Sequence, residues 1–269
     1  MISDNLSQDN LAMRVERERV AHDEHDVMAM HNELKSRFPH VDAYSTRIEL
    51  VDCFNSYMDN LHGKVILDYG CGRGDMSLRY LRAGAVKVCA IDISSVYIAD
   101  AERRMHEAGF SAERYSARVM DAHHMDFPDN SFDIVAGWSI LHHLQPEVAM
   151  AEIHRVLKPG GRVLLWEPLA DNPLLRIFRW LTPKARTADE APFTGVQIKH
   201  LEQAKQWRSE LGWCGLLGAP VGMVTSLLMK KRPKNFLLSS AVAMERWTHK
   251  KRILLNWNQH VLFNMVKLG

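Results

Sequence analysis

Cysteine is scarce in this chain of 269 residues, and the four present, Cys53, Cys71, Cys89 and Cys214, include no C-x-x-C pair. That spacing argues against a zinc cage or a disulfide framework, and a reducing cytoplasm fits best. Excess charge of one sign is missing too. Thirty-four Lys and Arg face 32 Asp and Glu, a formal net of +2, so no global field marks a polyanionic partner and any such argument rests on local patches. The N-terminal stretch MISDNLSQDNLAMRVERERVAHDEHD has no apolar h-region, so no signal peptide is expected. One uncharged run, Leu211 to Met229 followed by Lys230-Lys231-Arg232, has the length of a membrane span with a positive flank. Gly212, Gly215, Gly218, Pro220 and Gly222 break it, and it is predicted as a buried strand turning into a short apolar helix. What is present, 46% hydrophobic and 25% charged residues, is enough to bury the core of one α/β domain with additions.

Spaced apolar residues among charges from about Leu11 to Phe38 predict an amphipathic helix or two, ended by Pro39. A second helical run from Ser45 to Leu61 is stopped by His62-Gly63. From Lys64 the texture changes to short β-branched runs separated by helical stretches, the pattern of a parallel sheet covered on both faces. Strands are expected at Val65–Leu67, Val86–Ile91, Ala117–Met120, Phe132–Ala136 and Arg162–Trp166. Helices are expected at 75–83, Ser95–Glu107 and Pro146–Leu157, giving β-α repeated in the doubly wound manner. Helices are predicted again at 173–181 and 198–209, and a last strand at His260–Leu268.

The chemistry is concentrated at the strand ends. Leu67-Asp68-Tyr69-Gly70-Cys71-Gly72-Arg73-Gly74-Asp75 is a glycine-rich loop between a strand and a helix, where backbone N–H groups can approach a ligand closely. Its G-x-G-x-G spacing departs from the G-x-G-x-x-G dinucleotide fingerprint, which disfavours a nicotinamide or flavin. Asp92 ends the second strand at the separation that suits a ribose diol, with a helix-capping role as the alternative. Asp121, after the third strand, is placed to accept from an exocyclic amine, while Ile93 and Met125 would offer apolar faces to a base.

These motifs, with Ala122, Phe127-Pro128-Asp129-Asn130-Ser131-Phe132-Asp133 and Glu152-Ile153-His154-Arg155-Val156-Leu157-Lys158-Pro159-Gly160-Gly161, resemble the class I methyltransferases dependent on S-adenosylmethionine, in order and spacing over residues 64 to 168. The resemblance implies a seven-stranded doubly wound sheet of order 3-2-1-4-5-7-6 with strand 7 antiparallel, preceded by an N-terminal helical extension. It implies S-adenosyl-L-methionine as cofactor, bound by Asp68, Gly70, Cys71, Gly72, Asp92, Ile93, Asp121, Ala122 and Trp138, with backbone contacts near Gly137 and Trp138. Residues 1–62 are then a helical cap and 63–269 the methyltransferase domain, divided into a cofactor half at 64–168 and a variable substrate region at 169–269.

A sulfonium donor arrives activated, so positioning is the protein's main task and a general base is needed chiefly for a hydroxyl acceptor. His142 and His143, after the fourth strand, are the catalytic candidates, at least one facing the pocket; Glu167 is a further one. His22-x-x-His25 is expected on a solvated helix face, His123-His124 beside the adenine or simply exposed, and no metal is expected. The acceptor is expected to be a small, lipophilic molecule, with O-methylation favoured over C- or N-methylation, under an apolar lid that includes the 211–229 stretch. Residues 230–234 with Arg246, Lys250, Lys251 and Arg252 would instead be the footprint of a nucleic-acid or protein substrate. Near-neutral charge and the absence of an Asn-Pro-Pro-Tyr or Asp-Pro-Pro-Tyr motif argue against that class, so no nucleic-acid partner is expected. Peripheral membrane contact through Leu174, Leu175, Phe178 and Trp180 with Arg176 and Arg179, and a cofactor-binding regulator without catalysis, are the remaining alternatives.

Overall fold

A computed structural model describes residues 2–24, 36–43, 46–58, 61–181, 190–232, 234–250 and 254–269. Helices α1 (Ile2–Glu24), α2 (Pro39–Ala43) and α3 (Thr46–Met58) precede the sheet. The β-branched runs then become β1 (Val65–Tyr69), β2 (Lys87–Asp92), β3 (Tyr115–Val119), β4 (Phe132–Trp138) and β5 (Leu157–Pro168). Between them lie α4 (Asp75–Arg82), α5 (Ser95–Glu107) and α6 (Pro146–Val156), and the chain closes with α7 (Pro173–Leu181), α8 (Gly195–Glu202), β6 (Trp207–Cys214), α9 (Gly218–Leu228), α10 (Phe236–Lys250) and β7 (His260–Lys267). The sheet order is β3-β2-β1-β4-β5-β7-β6, and β7 runs antiparallel to both neighbours while β1 to β5 are parallel.

Strand residues alternate between two cores because successive side chains leave a strand on opposite faces. On β1, Leu67 and Tyr69 join α6 and α8 on one face, and Ile66 joins α3, α4 and α5 on the other. Both faces are covered, which is why these strands read as continuous apolar runs. Parallel connection from β1 outward in both directions leaves the carboxyl ends of β1 to β4 on one edge.

Several expectations change. Residues 36–37 are helical and that helix ends before Pro39, as expected, while Pro39 also opens α2, since its fixed φ and missing N–H suit a first helical turn; residues 25–35 lie outside the described residues. The helix expected at 198–209 stops at Glu202 and Trp207 already starts β6, because Trp207, 6% exposed, is drawn into the sheet core beside β7. Lys158-Pro159-Gly160-Gly161 lies inside β5 as an irregularity, pairing resuming at Arg162 after Leu157. The 211–229 stretch divides into the end of β6 and α9 as expected, and α10 is an element the sequence reading left unassigned. No helix of the described residues is long and apolar enough to cross a membrane.

Candidate active site

At the carboxyl edge, where strand order reverses between β1 and β4, a crevice of about 190 Å³ opens, the position at which open α/β sheets take ligands. The glycine loop forms its floor. Gly70 has φ +72°, and a Cβ there would stand 2.6 Å from Ile140 Cγ1, so only glycine lets the two loops meet. Gly72 has φ +50° and nothing within 4 Å of where a Cβ would project, which leaves bare backbone facing the crevice.

Acids stand around that floor. Asp92 accepts from Gly72 N–H at 2.9 Å through Oδ2 and from Ser94 N–H at 3.0 Å through Oδ1, so the carboxylate is pre-oriented by backbone. Burial pushes its pKa up, opposed by those N–H donors. The capping role falls to Ser94, whose Oγ accepts from Tyr97 N–H. Asp121 Oδ1 receives His123 N–H at 2.9 Å and lies 2.7 Å from His123 Nδ1. His123 Nε2 accepts from Gln145 N–H at 2.9 Å, which places the ring proton on Nδ1, facing the carboxylate. Burial raises the Asp121 pKa, but the His123 hydrogen bonds outweigh it and the carboxyl ends below its ordinary value.

The crevice has a cover: α1 brings Arg14, Val15, Glu18 and His22 to its lining. Asp23 Oδ1 accepts from Ser94 Oγ at 2.6 Å, and Glu18 Oε2 lies 3.1 Å from His143 Nδ1. Burial lowers the His22 pKa, yet a Glu18 hydrogen bond and the nearby Asp92 charge leave it raised overall. His22 Nδ1 is buried and has no hydrogen-bond partner among the described residues. Ser139, at the end of β4, holds φ +58° and also lines the crevice, a left-handed conformation that costs a non-glycine residue about 1 to 3 kcal/mol and clusters at functional sites. An orphaned ring nitrogen, bare Gly72 backbone and outward carboxylates form a donor and acceptor set that suits a polar ligand carrying hydroxyls and an amine.

Glu167 sits behind this wall, fully buried. Its carboxylate accepts from the N–H groups of Ile140, Leu141 and His142 at 3.1, 2.8 and 3.3 Å, and from His142 Nδ1 at 2.7 Å. It holds the loop after β4 and does not face the crevice. Glu167→Gln turns one acceptor into a donor opposite these donors, and a loss of about 3 kcal/mol in urea unfolding is expected; a loss below about 1 kcal/mol would show that the loop is held by other contacts.

Residues 66–161 match the family model described as a methyltransferase domain. That match takes in β1 to the start of β5 and covers about a third of the chain. Among similar proteins, the demethylmenaquinone methyltransferase of Symbiobacterium thermophilum is 35% identical over 44% of this chain and 47% of its own length. The 27-O-demethylrifamycin SV methyltransferase of Amycolatopsis mediterranei is 36% identical over 38% of each. The match therefore spans less than half of either relative. Of solved structures, Haemonchus contortus phosphoethanolamine N-methyltransferase 2 in complex with S-adenosyl-L-methionine aligns with TM-score 0.62 at 18% identity, over 94% of this chain and 60% of that one. Geranyl diphosphate C-methyltransferase from Streptomyces coelicolor aligns with TM-score 0.59 at 13% identity, over 82% and 79%. At these identities the solved structures establish the fold.

Within the matched residues 66–161, Gly70, Gly72, Asp92, Ile93, Asp121, Ala122, Trp138 and His143 meet at the crevice. Asp68 and Cys71 do not line it. Asp68 is buried, accepts from Ser77 Oγ and is pushed by burial to about 7, while Cys71 is a buried free thiol whose pKa burial raises. His142 also faces away from the lining, toward Glu167, whereas His143 faces in. Met125 is core, and Met120 takes the lining position expected of it. The apolar stretch 211–229 contributes nothing to the lining; the cover is α1. His22, expected on a solvated face, points into the crevice because α1 packs on α5, and His25 lies outside the described residues. Tyr97, Ile140 and Glu18 were not singled out in the sequence; the four-residue spacing of Glu18 and His22 on one helix was the available signal. Among the described residues, two groups, Glu18-His22-His143 and His142-His143-Glu190, hold ligand-type atoms within 4.8 Å of one another.

Proposed function

We propose that this protein transfers a methyl group from S-adenosyl-L-methionine to a small, lipophilic acceptor, with a hydroxyl oxygen as the favoured atom and carbon or nitrogen as alternatives. The observation that carries the reading is Asp92: a carboxylate fixed by the glycine loop's own N–H, at the strand-reversal point, facing a second oriented acid, Asp121, across one crevice. Asp92 would accept from the two ribose hydroxyls, Asp121 from the adenine amine, and the Gly70–Gly72 backbone would pass beneath the methionine portion. When bound, the cofactor supplies a methyl carbon already activated by a sulfonium leaving group.

The chain's own residues do the rest. Glu18, Asp92 and Asp121 give the crevice a carboxylate-rich wall suited to a cationic ligand, and α1 excludes water from it. His143, oriented by Glu18 at 3.1 Å, takes the proton of a hydroxyl acceptor, with His142 supporting the loop from behind. Val15, Ile140 and Leu144 supply apolar lining, which fits a lipophilic acceptor, as does the naming of the two relatives for demethylmenaquinone and 27-O-demethylrifamycin SV. Residues 1–62 serve as the cap, 63–269 as the catalytic domain, and 169–269 as its variable part. We place the reaction in the cytoplasm, where the free thiols Cys71, Cys89 and Cys214 would stay reduced.

Calorimetric titration with S-adenosyl-L-methionine, followed by transfer of labelled methyl groups into cell extract and mass spectrometry of the labelled product, tests the reading. Failure to bind the cofactor would overturn it. The reaction so described needs no metal, so chelation with EDTA is expected to leave the rate unchanged; a rate lost to EDTA and restored by a divalent cation would assign the Glu18-His22-His143 group to metal binding instead.

A further inference from the structure

A dense apolar feature lies outside the crevice lining, at the bend between α9 and α10. Leu227 and Leu228, ending α9, are 66% and 74% exposed, and Phe236, beginning α10, is 80% exposed. Scattered exposed apolar residues are ordinary, but large ones gathered at one bend mark an interaction surface. Between them Lys230, Lys231, Arg232 and Lys234 are all exposed, and no Asp or Glu occurs from Leu211 to Met244. Cations and apolar side chains are thus presented together with no acid in the segment.

The bend is rigidly mounted. His40 Nδ1 meets Thr225 Oγ1 at 3.0 Å, its N–H donates to Ser226 Oγ at 2.9 Å, and Gly222 admits the α2 backbone so closely that a Cβ would stand 3.0 Å from His40 O. At the other end of α9 the buried Glu245 carboxylate of α10 accepts from Leu216 N–H and Gly218 N–H, both at 2.9 Å. Buried polar groups therefore fix the two helices together and hold the apolar tip in water.

We propose that this bend docks on an anionic lipid bilayer, with Leu227, Leu228 and Phe236 entering the acyl boundary and the four cations meeting headgroup phosphates. Charge complementarity selects this occupant. A second copy of the chain would set the same cations against each other, and a nucleic acid offers no apolar medium for three large side chains at one tip. The surface differs from the 173–181 helix expected from the sequence, and it stands independently of the methyl-transfer reading.

Full-length protein is sedimented with vesicles of phosphatidylcholine alone and of phosphatidylcholine with phosphatidylglycerol, over a range of salt. Binding is expected only with phosphatidylglycerol and should weaken as salt rises. Each cation near an anionic surface contributes roughly five-fold in partitioning, so replacing Lys230, Lys231, Arg232 and Lys234 together by Gln should lower binding by about 10² or more. Leu228→Ser with Phe236→Ser should lower it by about 10-fold while leaving the salt dependence. A wild-type thermal unfolding transition and far-UV circular dichroism spectrum in both variants report intact folding. No binding by the wild type, equal binding by the charge variant, or an RNA gel shift in place of vesicle binding overturns the proposal.

Discussion

Asp92→Ala is expected to weaken S-adenosyl-L-methionine binding by at least about 10²-fold, since a carboxylate bonded to two hydroxyls contributes about 1.5 to 3 kcal/mol per charge-assisted bond. The substitution has a second effect. Asp92 also receives Gly72 N–H and Ser94 N–H, so its removal leaves the glycine loop without its partner across the crevice. Asp92→Asn, which keeps the shape and one acceptor oxygen, should lose less, about 10-fold. The pH dependence follows from the sign of the shift. Burial raises the Asp92 pKa, binding needs the ionised form, and affinity should therefore begin to fall as pH drops at a higher value than for an ordinary carboxylate. Titration calorimetry of the wild type and both variants checks this, and wild-type affinity in Asp92→Ala would remove the assignment of the crevice.

His143→Ala is expected to lower kcat on a hydroxyl acceptor by about 10² to 10⁴, the usual worth of a positioned base, with cofactor affinity held within about two-fold. His143 lines the crevice and is oriented by Glu18, whereas His142 is bound to the buried Glu167 and absent from the lining. The two adjacent histidines should therefore separate. His142→Ala should act mainly on stability, and Glu18→Gln should lower kcat by a smaller factor, about 10-fold, because the ring keeps its place but loses its charged partner. Full turnover in His143→Ala would assign the proton to water and leave cofactor and acceptor placement as the whole of catalysis.

The part of this site legible in the sequence is the part made by local chemistry. Gly70, Gly72, Asp92 and Asp121 sit at strand ends, where chain connectivity alone brings them to one edge once the sheet is parallel. His123 and Glu167 were noticed as residues, but their roles depend on partners 22 to 27 positions away, Gln145, His142 and the loop N–H groups. Covering roles were expected of both an N-terminal cap at 1–62 and an apolar lid in 169–269, and of the two it is α1, in the first, that supplies described lining residues. An uncharged stretch such as 211–229 looks like a lid by composition, while α1, charged and only weakly patterned, looks solvated. What turns His22 inward is its contact with Tyr97 and His143, rings 5.8 and 5.7 Å away, and no local periodicity encodes that.

By itself the sequence determined the strands, their alternation with helices and the order of the binding motifs, because turn residues, glycine loops and apolar runs act over a few positions. Tertiary structure alone decided which of two neighbouring histidines faces the crevice, which helix covers it, and that Trp207 belongs to a strand. Those outcomes depend on burial against residues distant in the chain, whose free energy outweighs the small local preference of each segment.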